Sequence, residues 1–271
     1  MEFWRIASSS RAGRRSTSSI SVDSDLNCVG ALDRAEVDAS LDRLFTSQGY
    51  GIRRRPGEHA GGKWLVRYAS ALDVNYMARQ PLFGMARMES LPLGGMRVKD
   101  VLVLDLHEIV AGKLVALIDR HAARDLFDAR RILSIDGLDW GRVKAAVLAI
   151  DACGRRDWRT RSIDVIAVEP REFRQKLAIC LPRGHVAARG EIDAWIEETV
   201  RLCREGFAFL FDLTANERAF LNGVLDHGEI DAGLLDIAPE FRARIKDMPM
   251  LAWKTGHVRK QRGLDTWKAD R

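Results

Sequence analysis

The segment LDLHEIVAGKLVALIDRHAARDLFDARRIL, from Leu104 to Leu133, decides how this chain of 271 residues is interpreted. Apolar residues recur in its first half at intervals of three and four, which predicts an amphipathic helix from Leu106 to about His121. The same kind of spacing predicts a second helix over Asp125–Ser134. The helix pair carries charged residues among apolar ones, and these charges are the first candidates for a functional site.

Lys113 lies on the first, apolar helix between Gly112 and Leu114. A lysine on the inner side of a helix is costly unless it meets an anion, and a triphosphate is a suitable anion. The alternative is a surface lysine whose methylene chain covers apolar residues while its amine reaches water. The sequence alone leaves both interpretations open.

Asp125 and Asp128 are three residues apart at the start of the second helix, so they share one face. Arg120 and Arg124 precede them and supply cations close to the two acids. Acids in the first turn of a helix also stabilise it through the helix dipole, without any further role. A role in binding and a role in capping therefore both fit this pattern.

A pair of acids also occurs near the beginning of the chain, in SVDSDLN (Ser21–Asn27), where an alternating pattern predicts a strand. Residues two apart on a strand face the same side, so Asp23 and Asp25 are expected side by side. Neighbouring carboxylates repel each other unless a cation lies between them, and oxygen ligands suit Mg²⁺. Two exposed surface acids remain the alternative.

A third acid, Asp73, lies in the apolar segment ALDVNY (Ala71–Tyr76), which also reads as a strand. A buried carboxylate needs a partner, and a metal shared with Asp23 and Asp25 would supply one. On a half-exposed strand, Asp73 would instead point outward to water. Both positions are compatible with the sequence.

Secondary structure around these motifs is predicted to be mixed in the first half of the chain and helical in the second. Besides the elements above, the first half is predicted to contain a helix over Leu32–Gln48 and strands over Tyr50–Arg54, Lys63–Ser70, Leu72–Met77 and Arg97–Val103. Further helices are predicted over Trp140–Ile150, Glu169–Cys180, Glu191–Leu213 and Ala215–Asp226, followed by an exposed basic tail over Lys254–Arg271.

Composition is that of a soluble globular protein, with 46% hydrophobic and 30% charged residues. No run of 18 or more apolar residues occurs, so no membrane span is expected. The four cysteines form no CxxC pair, which favours reduced, mostly buried thiols in a cytoplasmic protein. The net charge of +5 permits a nucleic-acid partner without requiring one.

Together, these segments resemble the AbiEii toxins of AbiE toxin–antitoxin pairs, which belong to the nucleotidyltransferase superfamily. In that family, a lysine on one helix is followed by an arginine and then by an R-D-x-x-D helix. The same order and spacing are found in Lys113, Arg120, Arg124, Asp125 and Asp128. The likeness covers about residues 20–265, and it extends to the segments Ser21–Arg34, Leu72–Tyr76, Leu213–Asp231 and Met250–Lys260.

The resemblance implies an α+β fold, in which a small mixed nucleotidyltransferase-like sheet flanked by helices is followed by a mainly helical C-terminal domain. The expected divisions are a disordered or truncated segment at residues 1–20, a nucleotidyltransferase-like domain at 21–135 and a helical domain at 136–271. By the same resemblance, Asp23 and Asp25 would bind Mg²⁺, and Asp73 would activate an attacking hydroxyl. Lys113, Arg120 and Asp128 would bind the nucleotide, with Asp125 as a further catalytic residue.

The implied substrates and partners are an NTP, an RNA acceptor such as tRNA and a cognate antitoxin protein. Nucleotide transfer to the 3′ end of tRNA would arrest growth. No membrane partner is expected.

One departure concerns the segment IASSSRAGRRSTSS (Ile6–Ser19), which stands where the family has a Gly-Gly or Gly-Ser turn after an apolar strand. Such a turn holds nucleotide phosphates through backbone N–H groups. Its absence leaves a catalytically inactive, truncated relative that binds an antitoxin or nucleic acid as the alternative function. A helical interaction protein with merely solvated acids is a third.

Overall fold

The structure, a computed structural model, describes residues 23–30, 33–56, 61–67, 71–90, 97–178, 181 and 192–264. The chain divides into two compact units. The first comprises Met1–Ile109 with Asp247–Met250, and the second comprises Val110–Lys246 with Leu251–Arg271. The segment Ile6–Ser19, which departs from the family pattern, lies outside the described residues, as does Cys180.

Four strands form the main sheet of the first unit, in the order β1-β4-β3-β2. Strands β2, β3 and β4 follow one another as antiparallel neighbours, whereas β1 pairs with β4 in parallel. Their bounds are Asp23–Asn27 for β1, Ile52–Pro56 for β2, Gly61–Val66 for β3 and Ala71–Asn75 for β4.

Helix α1, Arg34–Ser47, covers one face of this sheet. It begins after Asp33, whose carboxylate accepts hydrogen bonds from the backbone N–H groups of Ala35 and Glu36, as an N-cap residue should. Its inward residues pack against alternate residues of the strands, which gives the unit an apolar core. That core consists of Cys28, Val37, Leu41, Trp64, Leu72, Val74 and Tyr76.

Polar groups at the edge of this core are hydrogen-bonded to acids of α1. Asp38 is buried and accepts hydrogen bonds from the Tyr76 hydroxyl and the Arg54 guanidinium. Burial is the main reason that the pKa of Tyr76 is raised, and the hydrogen bond to Asp38 raises it further. The Trp64 indole donates to Asp42 at 2.7 Å, so the largest core residue is also satisfied at its polar atom.

A second, two-stranded sheet in the same unit pairs β5, Met85–Met88, with β6, Val101–Leu104, in antiparallel fashion. Strand β6 confirms the strand expected up to Val103, but β5 was not expected. Three of the four residues of β5 are exposed. The alternation of inward apolar and outward polar residues that indicates a strand in a sequence is therefore missing.

Helices dominate the second unit, as expected. They are α2 (Leu106–Arg120, which starts in the first unit), α3 (Ala123–Ile132), α4 (Trp140–Ala152), α5 (Pro170–Glu172), α6 (Ile192–Phe207), α7 (Ala215–Asn222), α8 (Pro239–Lys246) and α9 (Pro249–Arg262). Helix α5 continues as a π-helical turn over Phe173–Leu177, and α7 as another over Gly223–His227. Helix α4 is buried on most of its surface, because alanines and small aliphatic residues line it.

The basic segment from Lys254 to Arg262, expected as an exposed tail, is mostly exposed but forms part of a helix. Residues Pro249–Arg262 form α9, and its Leu251, Thr255 and Val258 are buried. These three residues recur at intervals of four and three, which is the spacing of one helix face. The basic residues between them hid this apolar face in the sequence.

The mixed α+β class is confirmed, and two further expectations can be compared with the described residues. Within that part of the chain, Cys28, Cys153 and Cys203 are free thiols, and Cys28 and Cys203 are buried. None of the helices described is both long and apolar enough to cross a membrane.

Candidate functional site

The parallel pairing of β1 and β4 brings two of the expected acids to opposite positions. Asp25 on β1 is in register with Asp73 on β4, and Asp23 is in register with Ala71. Leu72 and Val74 belong to the core beneath α1, so Asp73 between them lies on the other face of the sheet. The side chains of Asp23 and Asp25 lie outside the described part of the structure, and the register of their backbone is what the strands establish.

Asp73 has a cationic partner on the neighbouring strand. Lys63 of β3 is in register with Asp73, and its Nζ donates to Oδ2 of Asp73 at 2.9 Å. Both side chains are about one-third exposed, at 32% and 35%. Asp73 is therefore half-buried and paired on this face.

Sequence reasoning did not single out Lys63, although a signal was present. Lys63 stands between Gly62 and Trp64, which are buried, so alternation places it on the face opposite the core. The pairing of β3 with β4 was needed to bring it to Asp73, because the register of two strands is not fixed by either strand alone.

Carboxylates from β1 and β4 would be a suitable donor set for Mg²⁺, which prefers oxygen ligands. Among the side chains that the structure describes, no three His, Cys, Asp or Glu residues form a group able to hold a metal ion. The register of Asp25 with Asp73 fits a shared cation, and the Lys63 amine is a competing cation at the Asp73 carboxylate.

A second set of charged residues lies in the second unit, where α2 meets α3. Lys113 of α2 donates from Nζ to Oδ2 of Asp128 of α3 at 2.5 Å. The lysine side chain is 27% exposed and the aspartate side chain 14% exposed. Lys113 lies beside the buried Leu114, so its amine is held at a half-buried position by a charge-assisted hydrogen bond.

Arg120 and Asp125 form the other ion pair of this helix pair. Two guanidinium nitrogens of Arg120 donate to the two carboxylate oxygens of Asp125, at 3.0 and 3.2 Å. The Asp125 side chain is only 7% exposed, and Arg124 lies 3.9 Å from the same carboxylate. This fork-like pair is geometrically specific, because both partners are planar.

The two helices are joined at His121, which adopts a left-handed backbone conformation with φ of 53°. Such a conformation is uncommon for a residue other than glycine. His121 is half-buried, and its buried Nδ1 has no hydrogen-bond partner among the described residues. The sharp turn at His121 leaves only two residues between the end of α2 and the start of α3, which places the two ion pairs close together in sequence and structure.

Neighbouring elements hold α3 in place. Glu172 of α5 accepts a hydrogen bond from the first backbone N–H of α3, at Ala123, at 2.6 Å. Arg130 donates to the buried Thr199 of α6 at 2.6 Å and lies over the Trp195 ring. Contacts at Ala123 and at Arg130 therefore hold α3 at both ends, and they fix the positions of Asp125 and Asp128 between them.

A protein-family model described as "Nucleotidyl transferase AbiEii toxin, Type IV TA system" matches residues 20–242 of this chain. No curated protein matches the chain.

Among solved structures, the chain is similar to MenT4, a nucleotidyltransferase toxin from Mycobacterium tuberculosis H37Rv. The TM-score is 0.55 at 21% sequence identity, over 86% of this chain and 77% of MenT4. JHP933 from Helicobacter pylori matches with a TM-score of 0.36 at 16% identity, over 69% of this chain and 76% of that protein. The first likeness shows a shared fold.

Proposed function

This chain belongs to the AbiEii nucleotidyltransferase toxin family, and from that premise we propose that it transfers a nucleotide from an NTP to an RNA acceptor such as tRNA. The observation that carries the proposal is the register of Asp25 with Asp73 on adjacent parallel strands. It supports a site in which acids from distant parts of the sequence act together. Such a site is what a Mg²⁺-dependent transfer needs.

In this proposal, Asp23 and Asp25 hold Mg²⁺, with Asp73 beside them on β4. The metal would neutralise charge on the phosphates. Asp73 accepts the proton of the attacking hydroxyl through its carboxylate, whose orientation is fixed by the 2.9 Å hydrogen bond from Lys63. Lys63 then has a positioning role, because its hydrogen bond fixes the orientation of the carboxylate that accepts the proton.

Lys113 is proposed to bind the triphosphate through its amine, and Asp128 to orient that amine. The 2.5 Å contact between them supports this division of roles, since a lysine side chain otherwise has many rotamers. Arg120 is proposed as a second cation for the nucleotide, with Asp125 fixing the plane of its guanidinium. Asp125 and Asp128 would keep their positions on α3 when the nucleotide binds.

The proposed partners follow from the family. A toxin of a type IV toxin–antitoxin system implies a cognate antitoxin, which we propose to be a protein that restrains the transfer. The RNA acceptor is supported by the net positive charge of +5, since phosphates attract Lys and Arg side chains.

The test is to incubate the purified chain with Mg²⁺, total tRNA and each labelled NTP in turn. The Asp23→Ala Asp25→Ala double variant should incorporate no label into RNA if the parent chain does. A matched control is the Asp136→Ala Glu197→Ala double variant, which removes the same charge from exposed positions and should retain full incorporation.

The second candidate function is that of an inactive relative that binds an antitoxin or nucleic acid. The segment Ile6–Ser19, in place of the expected Gly-Ser turn, favours it. Absence of incorporation, together with absence of NTP binding by calorimetry, would rule out the proposed transfer in favour of this second function. Incorporation that the Asp23→Ala Asp25→Ala variant retains would show that these acids are not the metal ligands.

A further inference from the structure

The outward face of α9 carries an unusually exposed tryptophan. The Trp253 side chain is 60% exposed, whereas Trp64 and Trp158 are almost completely buried. Tryptophan is highly buried on average in folded proteins, because water solvates its large apolar surface poorly. A single exposed apolar side chain is by itself ordinary, so the surroundings of Trp253 decide what its exposure means.

Helix geometry explains why Trp253 faces outward. Leu251, Thr255 and Val258 form the buried face of α9 and fix its rotation against the second unit. At 100° per residue, positions 253, 257 and 260 lie on the opposite side of the helix. Trp253 cannot turn inward without moving the buried face, so its exposure is a consequence of how α9 packs.

Trp253 is also held flat against a second ring. The His257 imidazole, one turn further along, stacks on the indole with 5.5 Å between ring centroids and 5° between ring planes. This contact reduces the side-chain freedom that a bound molecule would otherwise have to restrict. The two rings form a partly ordered aromatic platform on an exposed helix face.

The charge around this platform is positive. Within Pro249–Arg262 there is no acidic residue, and the exposed basic side chains include Arg259 and Lys260. Neither of these two forms an ion pair with a carboxylate in the part of the chain that the structure describes. Lys260 is on the same side of the helix as Trp253, so a cation lies next to the rings.

A basic loop is fixed beside the same helix. Lys254 donates from Nζ to the backbone carbonyl of Gly154 at 2.7 Å. The residues that follow Gly154 are Arg155 and Arg156, and both are exposed. Lys254 itself is half-buried by this contact, but it brings the Arg155–Arg156 pair to the flank of α9.

We propose that the face of α9 formed by Trp253, His257 and Lys260, with Arg155 and Arg156 at its flank, docks single-stranded RNA. A base stacks on the indole, and the neighbouring cations contact the phosphates on either side. A protein or lipid partner would need a broader apolar surface, whereas the exposed residues beside Trp253 on this face are His257 and Lys260. The preference for RNA over DNA rests on the function proposed above.

The test is the binding of a fluorescein-labelled single-stranded RNA of mixed sequence, measured by fluorescence anisotropy without NTP. Loss of one base stack predicts a rise in Kd of about tenfold for Trp253→Ala. Trp253→Phe keeps an aromatic ring and should recover most of the affinity. The matched control is Leu44→Ala, which removes another exposed apolar side chain, 53% exposed in the first unit, and should not change Kd.

Two further measurements test the phosphate contact and the folding of the variant. Lys260→Gln should weaken binding and reduce the dependence of log Kd on log salt concentration, because one phosphate contact is lost. Circular dichroism melts should show that Trp253→Ala remains folded, since Trp253 lies on the exposed side of α9. RNA binding that is absent in the parent chain, or equal in the parent chain and Trp253→Ala, would overturn the proposal.

The docking surface and the transfer reaction can fail separately. The Asp23→Ala Asp25→Ala variant should bind the RNA as tightly as the parent chain, whether or not the parent transfers nucleotides. Tighter binding of single-stranded DNA of the same sequence would contradict the choice of RNA. A parent dimer that Trp253→Ala dissociates in analytical ultracentrifugation, with unchanged RNA affinity, would show instead that this face binds a second copy.

Discussion

At the scale of single residues, the helix pair α2–α3 holds two separate ion pairs. Lys113 contacts Asp128, whereas Arg120 contacts Asp125, so each acid has its own cation. The sequence pattern indicated that these charges share one region, but it left open which acid pairs with which cation. The turn at His121 decides this, because it sets how α3 returns against α2.

The role proposed for Lys113 predicts a loss of nucleotide affinity in Lys113→Gln. Removing a charged hydrogen-bond donor from a phosphate costs about 1.5–3 kcal/mol, so NTP affinity measured by calorimetry should fall roughly ten- to a hundredfold. Lys144→Gln is the matched control, because Lys144 also pairs with a half-buried acid, Glu217, at 2.8 Å in the same unit. Equal losses of NTP affinity in the two variants would argue against a specific role for Lys113.

Asp151 gives a pH-dependent prediction. It is buried beside Arg161, which lies 3.1 Å away, and one of its oxygens has no hydrogen-bond partner in the described structure. Burial raises the pKa of Asp151 from 3.8 to about 6, and the attraction of Arg161 only partly opposes this. Between these two pH values the folded protein binds more protons than the unfolded chain.

The free energy of unfolding should therefore fall as the pH rises from about 3.8 to about 6, relative to the Asp151→Asn variant. The expected difference is about 3 kcal/mol over that interval, obtained from the raised pKa and measured by urea unfolding at several pH values. Asp164→Asn, at a position with a side chain 79% exposed, should show no such pH dependence. A difference between parent and Asp151→Asn that does not change with pH would contradict this explanation.

At the scale of helices and strands, the elements whose apolar residues recur with a clear period could be predicted, and those without such a period could not. Helices α1 to α4 and strands β2 to β4 lie where their apolar spacing indicated, within a few residues at each end. Strand β5 is short and exposed, and the π-helical turns differ from an α-helix by one inserted residue, which leaves no periodic signal. Helix α9 was missed because basic side chains surround its narrow buried face.

The backbone conformation at Gly228 predicts that alanine substitutions at Gly228 and at Gly256 change the free energy of unfolding in opposite directions. Gly228 has φ of +65°, and a Cβ there would lie 2.7 Å from the Thr255 carbonyl oxygen and 2.5 Å from Cγ of Arg259. Gly228→Ala should therefore destabilise the protein by about 2 kcal/mol or more, as measured by urea unfolding.

Gly256 provides the opposite case, because a Cβ there would meet no atom within 4 Å. Gly256→Ala should stabilise α9 by roughly 0.5–1 kcal/mol, since alanine favours the helix. Equal effects of the two substitutions would show that the backbone conformation and the close contacts at Gly228 do not control stability.

At the scale of the whole molecule, the mixed α+β class followed from the sequence. Alternating strands followed by helices indicated an α+β protein, and the family match and the likeness to MenT4 agree with it. The boundary between the two compact units at Ile109 falls inside the continuous helix α2, which the spacing of apolar residues indicates as a single element. The pairing of β1 with β4 also depends on contacts between distant segments, which local patterns do not specify.

The buried face of α9 predicts that the second unit needs this helix. A chain that ends after Met250 would lack Leu251 and Val258, whose burial contributes about 1.5–3 kcal/mol each. Since a domain is stable by only about 5–15 kcal/mol, this truncated chain should lose most of its cooperative thermal transition. Trp253→Ala, on the outer face of the same helix, should melt like the parent chain, and a truncated chain that did the same would contradict the prediction.

The position of β1 in the sheet has a consequence for the order in which the molecule folds. Strands β2, β3 and β4 join through short connections, whereas β1 pairs with β4 across about fifty residues of intervening chain. Closing a longer loop costs more entropy, and contacts between distant residues slow folding. The meander of β2, β3 and β4 is therefore expected to form early, with β1 added to its open edge afterwards, so that Asp23 and Asp25 reach Asp73 late in folding.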